Sequence, residues 1–352
     1  MFAIDSFSRF RKAIMRLGFR SSFVWVLLAV VAAQQSAGAQ GRNDDRNPRP
    51  SRNSRPLRAD DAEMRLDTTV AVDKGTIVDL SATDGRIIVR GWDRNEVEIH
   101  AVSASGELQF SRTARSLRLE ARRSGRSNTL DATMTIRVPL NTRVVVGTML
   151  GNVEVLDVHG EVDATLQSGD VIIRGASGRT AVSNVSGSIN VSDVDGALRV
   201  NAITGKIKLS DVRGDIEVVS SSGDVELRDL PGNSVQIQVI QGDITYEGAL
   251  SRSGKYEFNT HSGAVHLFLP DSTKGTINMQ SFSGLLHSSF PVTLLPGAGT
   301  ARALTGSVRQ LNGRALSLNQ QQRVEIGGGN GAQVTISTFN GDVHINRGPR
   351  RQ

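Results

Sequence analysis

The 352-residue chain contains no cysteine, which excludes disulfides, thiol catalysis, cysteine-ligated metal and an N-terminal lipoprotein anchor. Its formal charge of +6 comes mostly from residues 1–39, which hold five of the 41 basic and one of the 35 acidic residues. The rest of the chain has 36 basic against 34 acidic residues, so its charge gives no support for a nucleic-acid partner.

Residues 1–39 have the layout of a secretory signal peptide. A basic segment ending at Arg20 precedes the apolar stretch 23–33, and Ala37-Gly38-Ala39 forms a small-residue cleavage site. The apolar stretch has 11 residues, too few for a stable transmembrane anchor. We therefore expect a secreted protein without an anchor after cleavage, located in the periplasm or at the cell surface.

The next segment, residues 40–62, is rich in Arg, Asn and Pro and has almost no apolar residues. Such a composition cannot bury enough surface to offset the entropy of ordering, so we predict a disordered linker. Beyond it, apolar and polar residues alternate around turn signals such as Asp84-Gly85. No stretch has the 3.6-residue apolar period of a helix. Residues 63–349 are predicted to form a single all-β domain.

A strict repeat occupies residues 150–240, where glycine stands at every ninth position. We call this series the glycine ladder. The residues two and four positions after each glycine are mostly apolar, as in Val153 and Val155, and alternation puts them on one face of a short strand. The complete unit is a pair of nines, 18 residues long. The ladder consists of Gly151, Gly160, Gly169, Gly178, Gly187, Gly196, Gly205, Gly214, Gly223 and Gly232.

Each nine is one strand and one turn, so each pair forms a coil with two sides. Stacked coils place equivalent residues about 4.8 Å apart, and one-way crossovers between parallel strands are right-handed. The sequence thus predicts a right-handed parallel β-solenoid of two-sided, 18-residue coils, with β caps within 63–149 and 285–349. The motif NGDVHIN near the C-terminus is expected to rejoin the stack as its last coil.

Outward-facing residues 18 apart should be neighbours on adjacent coils, and several such pairs have opposite charges. This favours stacking and leaves the faces electrically mixed. The predicted pairs are Lys206 with Asp224, Lys208 with Glu226, Glu161 with Arg179, and Arg199 with Glu217.

Several segments resemble the bacterial "putative adhesin" family of domain-of-unknown-function β-strand repeat proteins. They are DGRIIVRGWD, IRVPLNTRVVVGTMLGNVEV, the successive heads SGDV, SGSI, TGKI and SGDV, and the closing FNGDVHI. The likeness covers about residues 65–347. Its motifs are structural, so it implies the fold and brings no catalytic residues.

Four aspartates lie six residues after the head glycine of their unit: Asp157, Asp193, Asp211 and Asp229. We call them the aspartate column, which Gly175 interrupts. The favoured interpretation is that each carboxylate caps its own turn by accepting backbone N–H bonds. The alternatives are a calcium ladder, for which Asp193, Asp211 and Asp229 are the metal candidates, and a carboxylate pair of the glycosidase type.

Three histidines, His266, His287 and His344, lie three residues after a ladder-type glycine, in the outward phase. Two of them on neighbouring coils could bind a metal, although exposed histidines on a sheet face are commoner. Aromatic residues are few, and the candidates for stacking on a sugar are Trp92, Phe268, Phe282 and Phe290.

No GxSxG, HExxH or phosphate-loop motif occurs in the sequence. We assign no catalytic residue and no cofactor. The sequence favours a non-enzymatic structural or interaction protein of the bacterial cell envelope, whose partner is an envelope protein or a polysaccharide. The alternative is a polysaccharide-active β-helix enzyme or a calcium-binding solenoid that uses the aspartate column.

Overall fold

The computed structural model describes residues 64–104, 106–123, 132–290, 293–295, 316–317 and 322–348. The predicted signal peptide and linker lie outside these residues and stay predictions. The described residues form strands, turns and bends without any helix, which confirms the all-β class. The described residues therefore contain no helix that is long and apolar enough to cross a membrane.

The strands before the ladder are β1 (Met64–Ala71), β2 (Ile77–Trp92), β3 (Glu96–Ser103), β4 (Gly106–Arg112), β5 (Ser116–Arg123), β6 (Ala132–Pro139) and β7 (Arg143–Leu156). Those of the ladder and the coils after it are β8 (Val162–Ser168), β9 (Val171–Ser177), β10 (Thr180–Ser186), β11 (Ile189–Asp195), β12 (Leu198–Thr204), β13 (Ile207–Arg213), β14 (Asp215–Ser222), β15 (Val225–Arg228), β16 (Ser234–Gln241), β17 (Ile244–Glu247), β18 (Lys255–Ser262) and β19 (Val265–Leu269). The remaining strands are β20 (Gly275–Ser283), β21 (Leu285–Ser288), β22 (Thr293–Leu295), β23 (Leu316–Ser317), β24 (Gln322–Ile326), β25 (Ala332–Asn340) and β26 (Val343–Arg347).

The ladder strands form two faces of a solenoid. Each strand pairs in parallel with the next but one, and Thr180 is the partner of Leu198, which is 18 residues further on. Face A contains the even-numbered strands β8 to β18 and face B the odd-numbered strands β9 to β19. This pairing confirms the parallel β-solenoid with two-sided, 18-residue coils. Its right-handed sense stays a prediction.

The core lies between the two faces and consists mostly of Val, Ile and Leu side chains. The spacing of paired residues grows past the ladder, since Ser234 follows its partner Asp215 by 19 residues and Lys255 follows Ser234 by 21. Larger side chains occupy the core there: Tyr246, Tyr256 and Phe258 are buried with ring centroids 5.7 to 6.5 Å apart.

The ladder glycines stack in two columns, one at each of two corners of the coil. In the first column, Gly205 has a φ of 125°, and a Cβ placed there would lie 2.1 Å from the carbonyl oxygen of Gly187. In the second column, a Cβ on Gly214 would lie 2.2 Å from the carbonyl oxygen of Gly196. The chain passes so close to the preceding coil at these corners that only glycine fits.

At the N-terminal end, β2 and β7 each turn a corner and contribute to both faces. They pair in parallel over most of their length, with Gly85 opposite Gly151. The first part of β2 also pairs with β5 and the last part with β6. Beyond these strands, β4 is antiparallel to β5, β3 is antiparallel to β6, and β1 is antiparallel to β3. The antiparallel strands cover the open edge of the stack.

The C-terminal motif rejoins the stack, but the prediction that it forms the last coil is wrong. Strand β25 pairs in parallel with both β18 and β20, and β26 pairs with both β19 and β21. The coil of β25 and β26 is therefore inserted one place before the end. Antiparallel β24 covers the outer edge of β20, which leaves β25 no place there. The motif NGDVHIN fits any coil equally well, so its pattern does not specify the position.

Candidate functional site

The residues of the aspartate column share an unusual backbone conformation. Their φ angles are 54°, 54°, 53° and 48° in chain order, which is the left-handed region that most side chains avoid. Gly175, which interrupts the column in the sequence, has a φ of 68°. Because Asp and Gly both tolerate this region, the column is a series of equivalent turn positions. The left-handed residue shifts the alternation of buried and exposed side chains along the strand by one place. As a result Asp193 is exposed and Val194 is buried.

The carboxylates of the aspartate column do not cap turns as the sequence suggested. Within the described residues, none of the four accepts a hydrogen bond or forms an ion pair. Capping is carried out instead by the residue directly after a head glycine, whose Oδ1 accepts a backbone N–H of the next coil at 2.8 to 3.1 Å. The accepting residues are Asn152, Asp170, Asp224, Asp243 and Asp342. In the sequence these residues are visible only as a recurring Asp or Asn directly after a head glycine.

Substitutions at Asp211 will separate a conformational role from a chemical one. We expect Asp211→Gly and Asp211→Asn to unfold at the same urea concentration as the parent, because both residues tolerate a positive φ. Asp211→Val should lose about 1–2 kcal/mol of unfolding free energy because a β-branched residue is strained there. A rise in melting temperature with calcium that Asp211→Asn abolishes would contradict this account and support the calcium ladder.

The outward charges pair between coils, but not always with the predicted partner. Arg199 contacts Glu217 at 2.6 Å, and Lys208 lies 4.0 Å from Glu226, as predicted. The other two predicted pairs are neighbours in the register, but among the described residues their charged groups do not form ion pairs with each other. Lys206 contacts Glu226 at 2.7 Å rather than Asp224. Glu161 lies 3.4 Å from Arg143, on the coil before it, and forms no ion pair with its neighbour Arg179. These long side chains reach diagonal neighbours, and the faces carry both signs of charge.

Three histidines form a continuous stack near the C-terminal end, which we call the histidine row. His344 on β26 lies between His266 on β19 and His287 on β21, with ring centroids 4.7 and 4.8 Å apart and interplanar angles of 13° and 9°. The insertion of β26 creates this arrangement. Burial lowers the pKa of His344, and the neighbouring charges of His266 and His287 lower it further.

Asp342 completes a cluster with two members of the row. The possible ligand atoms of His287, Asp342 and His344 all lie within 4.8 Å of one another. This is the one group of its kind in the part of the chain that the structure describes. The metal candidates from the sequence, Asp193, Asp211 and Asp229, do not form such a group. The sequence suggested histidine pairs, but it did not indicate that Asp342 lies beside them.

A second stack lies across the glycine corner from the histidine row. The rings of His261, Phe339 and Phe282 are parallel, with centroids 4.8 and 4.9 Å apart, and we call them the aromatic column. Phe282 is 72% exposed and Phe339 is 45% exposed. A shallow depression of about 580 Å³ between the two stacks is lined by Phe282, Leu285, Asp342 and His344 among others.

The family model described as Toastrack DUF4097 matches residues 120–309, more than half of the chain. The chain belongs to the Toastrack DUF4097 family. This membership agrees with the resemblance to "putative adhesin" β-repeat proteins that the sequence motifs carry. A search of curated proteins finds no match to this Toastrack chain.

Solved structures similar to this Toastrack chain include a "putative adhesin" from Bacteroides fragilis, with 13% identity, 81% of this chain and 98% of that chain covered, and a TM-score of 0.35. A "putative cell adhesion protein" from Clostridium sporogenes has 12% identity and a TM-score of 0.21, with 81% of this chain and 100% of that chain covered. A "putative adhesin" from Parabacteroides distasonis has 9% identity and a TM-score of 0.28, with 80% of this chain and 97% of that chain covered. Likenesses of this size assign no residue a role.

Proposed function

We propose that this Toastrack protein is secreted and acts as a non-enzymatic, adhesin-like interaction protein of the cell envelope, which binds a partner protein through the aromatic column. The exposure of two stacked phenylalanine rings is the observation that carries the proposal. Exposed apolar surface of this kind is unfavourable in water and is typical of sites that a partner covers.

The column continues as apolar surface on the preceding coil. Ile240 stands two residues before its glycine, as His261, Phe339 and Phe282 do before theirs, and it is 53% exposed. Leu285, across the corner, is 41% exposed. Aromatic and aliphatic side chains together form the kind of patch from which the core of a protein interface is built.

The aromatic residues that could stack on a sugar are mostly engaged elsewhere, which favours a protein over a polysaccharide. The guanidinium groups of Arg94 and Arg137 lie 5.1 and 5.9 Å from the centroid of the Trp92 ring. Phe290 is buried beneath Arg347, and both tyrosines of the chain are buried in the core. Phe282 is the one sugar-stacking candidate that is largely exposed among the described residues.

The backbone conformation of the aspartate column favours a non-enzymatic role. A regular row of carboxylates would suggest catalysis if nothing else explained it. Here a left-handed turn position explains both the four aspartates and Gly175. The column therefore needs no catalytic function to account for it, and the enzyme alternative loses its main support.

Binding of the labelled, purified protein to intact cells of the producing bacterium tests the proposal. We expect saturable binding that proteinase treatment of the cells abolishes and periodate oxidation of their glycans leaves intact. The double variant Phe282→Ser/Phe339→Ser should bind at least about tenfold more weakly, since central aromatic residues contribute most of the affinity of an interface. Protein recovered from the producing cells should begin at Gln40 if it is secreted as proposed.

The matched control is Ile172→Ser/Val219→Ser, which removes apolar side chains that are 37% and 38% exposed and lie away from the aromatic column. Its binding should equal that of the parent. Equal binding by both double variants would remove the column from the interface. Loss of binding after periodate treatment alone would identify a polysaccharide partner. An absence of saturable binding both to intact cells and to their envelope extract would overturn the envelope function.

A further inference from the structure

The cluster at the end of the histidine row has the donor set of a transition-metal site. It offers two imidazole rings and one carboxylate, from His287, His344 and Asp342. Zinc sites with an open position use three protein ligands of these types. Calcium and magnesium prefer oxygen ligands throughout, so two histidines argue against them.

The parallel pairing of β21 with β26 determines which residues meet. His287 and His344 are direct partners in this register, and their rings are stacked at 4.8 Å. Asp342 lies two residues before His344, at the turn into the same strand. The three ligands thus lie on two adjacent strands and on the turn before one of them, and the backbone hydrogen bonds determine the relative position of these strands.

Asp342 is oriented by the backbone of the neighbouring coil. Its Oδ1 accepts the N–H of Leu285 at 2.9 Å, while its Oδ2 lies 3.7 Å from Nε2 of His287. The first contact holds the carboxylate in place and leaves the second oxygen facing the histidine. An outer hydrogen bond that orients a ligand in this way is typical of metal sites.

The distances between the ligand atoms of the cluster are close to those around a bound zinc ion. Ligand atoms about 2.1 Å from a tetrahedral zinc ion are about 3.4 Å apart. The ligand atoms of the cluster lie within 4.8 Å of one another, so they would have to approach each other by about 1.4 Å at most. The side chains of His287 and Asp342 are each 41% exposed and have room to turn. The contraction therefore requires rotation of exposed side chains and no movement of the strands.

We propose that His287, Asp342 and His344 bind a divalent transition-metal ion, zinc in the first instance, at the C-terminal end of the solenoid. The site is independent of the proposed interaction function, because metal binding is measured without any partner. Its ligands come from β21, from β26 and from the turn that precedes β26, so only the inserted C-terminal coil assembles it.

Competition between the purified protein, without a polyhistidine tag, and a fluorescent zinc chelator tests the site. We expect one zinc ion per chain. His287→Gln, His344→Gln and Asp342→Asn should each weaken binding by about tenfold or more, since even outer-shell substitutions reach that size in metal sites. With cobalt in place of zinc, the parent should show visible absorption that these variants lose.

The matched control is His261→Gln, which changes a histidine of the aromatic column two coils away from His287. Its zinc affinity should stay within about twofold of the parent, because its ring lies outside the cluster. Thermal unfolding in the presence of a chelator will show that the variants are folded. A substitution of His287 should disturb folding least, because its side chain is 41% exposed. Unchanged affinity in folded His287→Gln, or loss in His266→Gln with retention in His287→Gln, would overturn the proposal. Loss of zinc with unchanged cell binding would leave the proposed function intact.

Discussion

Replacing Gly205 by alanine should lower the unfolding free energy by about 4 kcal/mol, from strain at a positive φ and from a backbone collision together. The new Cβ would lie 2.1 Å from the carbonyl oxygen of Gly187, at a φ of 125°. Neither atom belongs to a flexible side chain, so relief requires the two coils to separate. Gly223 lies directly on Gly205 in the same column, and its strand pairing would be disturbed as well.

Substitutions at two other glycines separate the effect of the positive φ from the effect of the backbone collision. Gly328 has a φ of 89°, and a methyl group at this position would have no heavy atom within 4 Å, so Gly328→Ala should lose only the conformational part, about 1–2 kcal/mol. Gly147 lies in β7 outside the positive-φ set, and its nearest contact would be the carbonyl oxygen of Thr165 at 4.0 Å. Gly147→Ala should be as stable as the parent or slightly more stable. Urea unfolding of the three variants gives the order, and equal stability of Gly205→Ala and Gly147→Ala would contradict close stacking at the corners.

The inserted coil is expected to hold the C-terminal end of the solenoid together. Ile336 on β25 is fully buried, with Phe258 on β18 as its partner on one side and Met279 on β20 on the other. Ile336→Asp should destabilise this end by more than about 4 kcal/mol, because it removes a packed side chain and buries an unpaired carboxyl. Solenoid coils interact mainly with their neighbours, so the loss should stay local.

Amide hydrogen exchange will locate the effect. In Ile336→Asp, protection should fall in β25 and also in β18 and β20, which lie far from it in the sequence, while β10 to β13 stay protected. Thr335→Asp is the matched control, because its side chain is exposed on the same strand. If β18 stayed protected when β25 and β20 lost protection, the C-terminal coil would lie at the end of the stack rather than inside it.

The aspartate column shows both the strength and the limit of sequence patterns. Its period is visible because each Asp lies six residues after a glycine. Only the φ angles show that Gly175 belongs to the same series, and that the shared property is a left-handed turn. A side-chain pattern does not distinguish a residue chosen for its carboxylate from one chosen for its backbone, since Asp is suited to both.

The capping residues differ from the aspartate column, because here the side-chain oxygen itself makes the structural contact. Asp170 and Asp243 follow head glycines in the sequence, and each accepts a backbone N–H from the next coil. The motif is recognisable as a repeat, but the sequence does not show that its carboxylates act as caps. The N–H groups that they accept belong to another coil, and the partner of a carboxylate is not apparent until the coils are stacked.

The sequence by itself determined the β class, the 18-residue coil and the parallel stack. These follow from local requirements that every unit repeats, namely glycine at a crowded corner and apolar residues at alternating positions. Only the tertiary structure decided that β25 and β26 lie between two earlier coils, and so brought His344 between His266 and His287 and Phe339 between His261 and Phe282. Parallel pairing joins residues such as Lys255 and Gln333, which are far apart in the chain. A motif that fits every coil equally well does not specify its neighbours, because those are selected by packing and by the antiparallel cap.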